Sequence, residues 1–131
     1  MDEAKGKKVL FIDDDKFLLD MYAVKFTKAG YVVKTADSAA DGLKILHEGY
    51  VPDVILVDIV MPGTDGLDFV TAIKRENLVP TAKLIMLTNQ GSSDDISRAK
   101  KIGVHGYIVK ATTIPSEVLG YVEKLSGKSD Q

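Results

Sequence analysis

Four short apolar runs of one form punctuate the chain: Val9-Leu10-Phe11-Ile12, Val54-Ile55-Leu56-Val57, Leu84-Ile85-Met86-Leu87 and the shorter Tyr107-Ile108-Val109. Each is followed at once by a polar residue, respectively Asp13, Asp58, Thr88 and Lys110. Runs that are apolar at successive positions, without alternation, suit parallel strands covered on both faces by helices. A fifth run, Tyr31 to Ala36, is more mixed and reads as an edge strand. The intervening segments carry helical periodicity. Phe17, Leu18, Met21, Ala23, Val24 and Ala29 mark a first helix closed by Gly30, and Ser38 opens a second that runs through Leu43, Ile45 and Leu46 to Gly49. A third follows Asp65-Gly66 through Leu67, Phe69, Val70 and Ile73, and a fourth starts at Ser92 or Ser93 and stops at Gly103. The last begins after Thr113 with Pro115 in its first turn, and Val118, Leu119, Val122 and Leu125 form its stripe.

Strands alternating with helices predict a doubly wound, five-stranded parallel α/β sheet with five helices. In such sheets ligands bind beyond the carboxyl ends of the strands. That rule gathers Asp13, Asp58, Thr88 and Lys110, far apart in the chain, along one crevice.

A chain of 131 residues is enough for one domain, with a core expected over about 8–125 and short polar tails, of which Gly127–Gln131 reads as frayed or as the root of a linker. Its 17 basic and 19 acidic residues give a net charge of −2, which offers no field for a nucleic-acid backbone and predicts no direct nucleic-acid partner. No apolar run approaches the length of a membrane span, and the first residues lack the apolar stretch of a signal peptide, so no membrane partner and a cytoplasmic location are expected. The absence of cysteine excludes disulfides, thiolate metal sites and cysteine nucleophiles.

The first strand runs into Asp13-Asp14-Asp15-Lys16, where a nucleotide-binding fold would place glycines, and neither dinucleotide nor P-loop spacing is present. Carboxylates about 5 Å apart repel by roughly 3 kcal/mol at an effective dielectric near 20, so such a cluster calls for a hard divalent cation. Mg2+ suits it, held by one or two carboxylates together with water and phosphate oxygens. Lys110 and Thr88 add a positive charge and a hydroxyl for the outer oxygens of a phosphoryl group. Asp58, alone at its strand end, is then the natural nucleophile, and the pair Asp13 and Asp14 the natural metal holder. Asp15 reads as a helix cap, and His47 and His105 as isolated surface or loop residues.

Taken jointly and in order, the acidic run after Phe11-Ile12, the segment Asp58-Ile59-Val60-Met61-Pro62-Gly63-Thr64-Asp65-Gly66, Thr88, Tyr107 and Lys110 resemble the receiver domain of two-component response regulators, from about Lys8 to Leu125. The resemblance implies a flavodoxin-like strand order 2-1-3-4-5 and a phosphorylation-dependent signalling switch. It implies that Asp58 accepts a phosphoryl group from a histidine kinase or phosphotransfer partner. Asp14 and Asp58 would ligate Mg2+ directly, Asp13 through water, and the Val60 carbonyl would complete the protein ligands. Lys110 would pair with phosphoryl oxygens, Thr88 would swing toward them, and Tyr107 would turn into the space vacated. The fourth helix, fifth strand and fifth helix would then present the changed surface to a downstream protein or output domain, or to a second copy in a weak homodimer. Val60, Asn89 and Gln90 occupy positions that set access to the phosphoryl group and its lifetime.

One departure from the family pattern is Lys110-Ala111, where the family has proline and a cis bond, a geometry that costs about 2.5 to 4 kcal/mol before alanine. Two other functions compete. An Mg2+-dependent aspartyl phosphohydrolase resembling the haloacid dehalogenase family would use the Asp13-Asp14-Asp15 opening, but it leaves Asp58 without a role and lacks paired acids after Lys110. A phospho-independent docking module would keep the fold and the acids without the reaction.

Overall fold

The computed structural model describes residues 6–125 except 62, 64, 89–92 and 111–112, so Asn89, Gln90, the Lys110–Ala111 bond and the tail from Gly127 lie outside the described residues. Strands β1 (Lys8–Ile12), β2 (Val32–Ala36), β3 (Val54–Asp58), β4 (Lys83–Thr88) and β5 (Gly106–Val109) alternate with helices α1 (Lys16–Lys28), α2 (Ala39–His47), α3 (Gly66–Glu76), α4 (Ser93–Ile102) and α5 (Pro115–Leu125). All strand pairs are parallel, in the order β2-β1-β3-β4-β5. The expected sheet order and the edge position of β2 are both found.

The apolar runs lack alternation because both faces of the sheet are covered. Leu10, Ile12, Ile55, Val57, Leu84 and Met86 point into a core with residues of α2, α3 and α4, while Val9, Phe11, Val54, Leu56, Ile85 and Leu87 point into a second core with α1 and α5. In the second core Phe11 stacks on Tyr22, with ring centroids 4.9 Å apart, and meets Phe26 edge-on at 5.0 Å.

Helix starts follow the short polar side chains that can accept from the first turn. Asp15 accepts from the Leu18 N–H at 3.1 Å, Ser38 from Asp41 at 3.1 Å, and Asp65 from Asp68 at 2.9 Å. The cap role expected of Asp15 is therefore the one it has. Helix α3 ends on Asn77 in the left-handed region (φ 53), a stop that its sequence pattern did not announce.

The periodicity of α1 needs correction. Phe17, Met21 and Val24 are among the apolar positions that mark α1 in the sequence, yet the buried residues of α1 are Leu19, Tyr22 and Phe26. Phe17 is 75% exposed and Val24 57%, so the helix carries two apolar stripes and only one faces the sheet. Tyr31, expected as the first residue of β2, precedes the strand and is buried against Phe26 at 5.1 Å.

Candidate functional site

Register brings the four strand-end residues together. Ile12 pairs with Val57, Asp58 with Leu87, and Thr88 with Val109, so Asp13, Asp58, Thr88 and Lys110 all fall at the carboxyl rim of neighbouring strands. Side-chain alternation then divides them between the two faces. Asp58 shares the parity of Val54 and Leu56, on the α1 and α5 side, whereas Thr88 shares that of Leu84 and Met86, on the α2, α3 and α4 side. Tyr107 is half-buried and packs against that same α2, α3 and α4 core. Thr88 and Tyr107 thus occupy one face of adjacent strands.

Asp13 and Asp58 are buried, and so is the end of Lys110. The Lys110 Nζ donates to Asp13 Oδ2 at 2.8 Å and to Asp58 Oδ2 at 3.4 Å. The other oxygen of Asp13 accepts from the Asp15 N–H at 3.0 Å, and that of Asp58 from the Val60 N–H at 3.3 Å. Asp14 is exposed at the mouth. One lysine therefore answers two buried acids, and the imbalance falls on Asp58. Burial and the neighbouring Asp13 charge push its carboxyl up to about 6, more than Lys110 and the Val60 N–H offset. Burial would pull Lys110 down, but its bond to Asp13 and the charges of Asp13 and Asp58 hold it above its ordinary value.

Carboxylate oxygens of Asp13, Asp14 and Asp58 come within 4.8 Å of one another. An all-oxygen set with two to three negative charges and an exposed member fits a hard divalent ion such as Mg2+. The backbone behind Asp58 is equally specific. A Cβ at Gly66 would collide with the Asp58 carbonyl, and the Gly66 N–H donates to the Ile59 carbonyl at 2.8 Å, so α3 begins in direct contact with the strand end that carries Asp58.

A match to the response regulator receiver domain covers residues 9–119. The chain belongs to this family. Chemotaxis protein CheY of Thermotoga maritima is 34% identical over 123 residues, which span 92% of this chain and 98% of that protein. The phosphate regulon transcriptional regulatory protein PhoB of Pseudomonas aeruginosa is 32% identical over 105 residues, 80% of this chain. This receiver spans less than half of the length of that regulator, 45%. Among solved structures, chemotaxis protein CheY4 of Vibrio cholerae superposes with a TM-score of 0.84 at 28% identity, covering 92% of this chain and 98% of that one. Membership in the receiver family removes the haloacid dehalogenase reading.

Several features of the site were missed in the sequence. Tyr22 lies buried beneath the acids, and burial together with the charges of Asp13, Asp58 and Asp15 pushes its phenol up to about 12. The outward stripe of α1 forms, with Pro115 and Ser116, a shallow groove of about 540 Å3 lined also by Asp20, Lys25 and Lys28. Its signal was present as the spacing 17, 21, 24, which falls on the opposite face of the helix from the buried Leu19, Tyr22 and Phe26. His47 and His105 are exposed, as expected of surface or loop residues, but each has a partner: His47 pairs with Glu76 at 2.8 Å, and His105 accepts from the Leu84 N–H at 3.0 Å. Among the described residues no helix is long and apolar enough to cross a membrane.

Proposed function

We propose that the receiver is a phosphorylation-dependent switch in which Asp58 takes a phosphoryl group from a histidine kinase or phosphotransfer partner, with residues 8–125 as the working core. The observation that carries this reading is the buried Asp58 carboxylate held 3.4 Å from Lys110 with a second acid, Asp13, on the same lysine. With its proton affinity near pH 6, Asp58 is ionised at neutral pH and more basic than an ordinary carboxylate, which suits a nucleophile.

In this reaction an Asp58 oxygen forms a bond to phosphorus while the bond from phosphorus to the donor's imidazole nitrogen breaks. The electron pair stays on that nitrogen, and the acyl phosphate remains on Asp58. Lys110 follows the outer phosphoryl oxygens, and Thr88, on the next strand, supplies a hydroxyl from the other face. Asp14, Asp58, the Val60 carbonyl and, through water, Asp13 would hold Mg2+, which when bound neutralises charge on the transferring group. Val60, Asn89 and Gln90 set access to the group and its lifetime. Movement of Thr88 toward the phosphoryl group frees space on the face where Tyr107 packs, and the surface of α4, β5 and α5 changes for a downstream protein.

The donor's docking surface is the outward stripe of α1. Phe17, Met21 and Val24 line, with Pro115, an exposed apolar groove on the helix that directly follows the acidic run, so an amphipathic helix of the donor laid there would have its phosphohistidine within the neighbourhood of Asp58.

The test is intact mass after incubation with a small acyl phosphate and Mg2+. One hydroxylamine-labile phosphate adduct is expected on the wild type, absent with EDTA and absent in Asp58→Asn. No adduct on a folded wild type would leave a docking module whose acids no longer react.

A further inference from the structure

Strand β5 is short, lies at the edge of the sheet, carries Tyr107 and leads directly into Lys110. What fixes its start is therefore of consequence. The first paired couple of the β4–β5 ladder is Ile85 with Gly106, and Leu84 lies one residue before it. In a parallel ladder a residue bonds through its C=O and its N–H to two residues that are two apart on the neighbouring strand. The Leu84 carbonyl accepts from the His105 N–H at 2.8 Å, so the regular partner for the Leu84 N–H is the carbonyl of Gly103. That carbonyl is engaged elsewhere. Gly103 ends α4 in the left-handed region (φ 97), and its oxygen accepts from Lys74 Nζ at 3.0 Å. The Leu84 N–H donates instead to the imidazole Nδ1 of His105, at 3.0 Å. One residue thus holds both backbone groups of Leu84, and its side chain replaces the missing ladder bond.

We propose that His105 is an acid-sensitive clamp that fixes the start of β5 against β4, and acts as a positioning residue for the strand that bears Tyr107 and Lys110.

The bond requires an unprotonated Nδ1, which leaves the proton on Nε2. Protonation at Nδ1 sets N–H against N–H and leaves the Leu84 amide without an acceptor. The surroundings favour the neutral ring: partial loss of water around a residue that still reaches the surface, then the cations Lys83 on β4 and Lys74 on α3, hold its pKa below the ordinary 6.5. Lys74 is tied to the same turn through Gly103, so its charge stays near the ring. Because the folded state resists the proton and the unfolded chain does not, the clamp's contribution is complete above about pH 6.5 and is lost as pH falls toward the lowered folded value.

Nuclear magnetic resonance on the full chain tests the clamp without using phosphorylation. The expected result is an Nε2–H tautomer at pH 7.5, a His105 titration midpoint below 6.5, and a drop in Leu84 amide protection of about tenfold through that midpoint, the size of one net hydrogen bond. Ile108, deeper in the same strand pair, serves as the control and keeps its protection. His105→Asn, whose amide oxygen can accept, retains Leu84 protection and loses the pH dependence, and His105→Leu loses protection at every pH. An Nδ1–H tautomer, a midpoint at or above 6.5, or equal Leu84 protection in wild type and His105→Leu would overturn the proposal. If His105→Leu does not fold, the wild-type titration alone decides.

Discussion

The two rims of the sheet are built from the same five strands and carry opposite electrostatic solutions. At the amino rim charge is kept outside or kept neutral: Asp53 accepts from the Lys8 backbone at the surface (2.8 Å), His105 serves as an uncharged acceptor, and the exposed Lys74 ends a helix by bonding Gly103. Each group there closes a strand or a helix at little desolvation cost. At the carboxyl rim two acids and a lysine are taken out of water, and the charges do not balance. Burying ions is unfavourable unless partners make up the loss, and at this rim Asp58 is left short of partners. The difference teaches where to look for a ligand: the rim that is worse for the stability of the isolated chain is the one proposed above to receive a cation and a phosphoryl group.

Removing the lysine tests this contrast most severely. In metal-free protein at pH 7.5, Lys110→Ala leaves Asp13 and Asp58 buried without their cation and is expected to cost about 3 to 5 kcal/mol in urea denaturation. Lys74→Ala, at the other rim, removes an exposed amine and is expected to cost less than about 1 kcal/mol. Equal losses would mean that the two rims do not differ as described.

Removing the strained acid should act in the opposite direction. The folded-state value of Asp58, about 6, lies above its ordinary 3.8, so the folded state binds the proton first; the benefit is present below 3.8 and is lost as pH rises through 6. Metal-free Asp58→Asn is thus expected to be more stable than wild type at pH 7.5 by on the order of 3 kcal/mol, with the gap closing between pH 6 and pH 4. By charge alone, either buried acid of the pair could supply this relief. The structure assigns it to Asp58, because Asp13 already holds the shorter lysine contact, 2.8 Å against 3.4 Å. Melting curves across that pH range in EDTA check it, and a constant gap would show that charge at Asp58 is not its cause.

The sequence reveals much of this because the parts it reveals are local. A short apolar run followed at once by a polar residue is legible wherever helices cover both faces of a strand, and Asp13, Asp58, Thr88 and Lys110 were found by that pattern alone. Ser38 was legible as a cap because its side chain bonds three residues away. What escaped depends on contacts between distant segments. Which stripe of α1 faces inward is decided by Phe11 stacking on Tyr22, not by anything within α1. His105 carries no local sign of its bond, since the need for it arises from Lys74 taking the Gly103 carbonyl 29 residues away in the chain. Which of the acids bears the strain depended on how one lysine divides its reach.

The same contrast between a side built for stability and a side left exposed recurs on α1 and gives the smallest effect. Leu19, Tyr22 and Phe26 hold the helix to the sheet, whereas Phe17, Met21 and Val24 contribute little to folding where they stand. Surface substitutions away from packing usually change stability by no more than about 0.5 kcal/mol, so Phe17→Ser should melt close to wild type. Its phosphorylation by a small acyl phosphate should also be unchanged, because that donor needs only the pocket. Phosphorylation by a protein donor should fall roughly tenfold, equal to about 1.4 kcal/mol, the loss expected when one exposed aromatic leaves a helix-docking surface. The two donors assayed side by side separate the cases. Equal rates for wild type and Phe17→Ser with the protein donor would remove α1 from the docking surface, and a parallel loss with both donors would place Phe17 in the pocket itself.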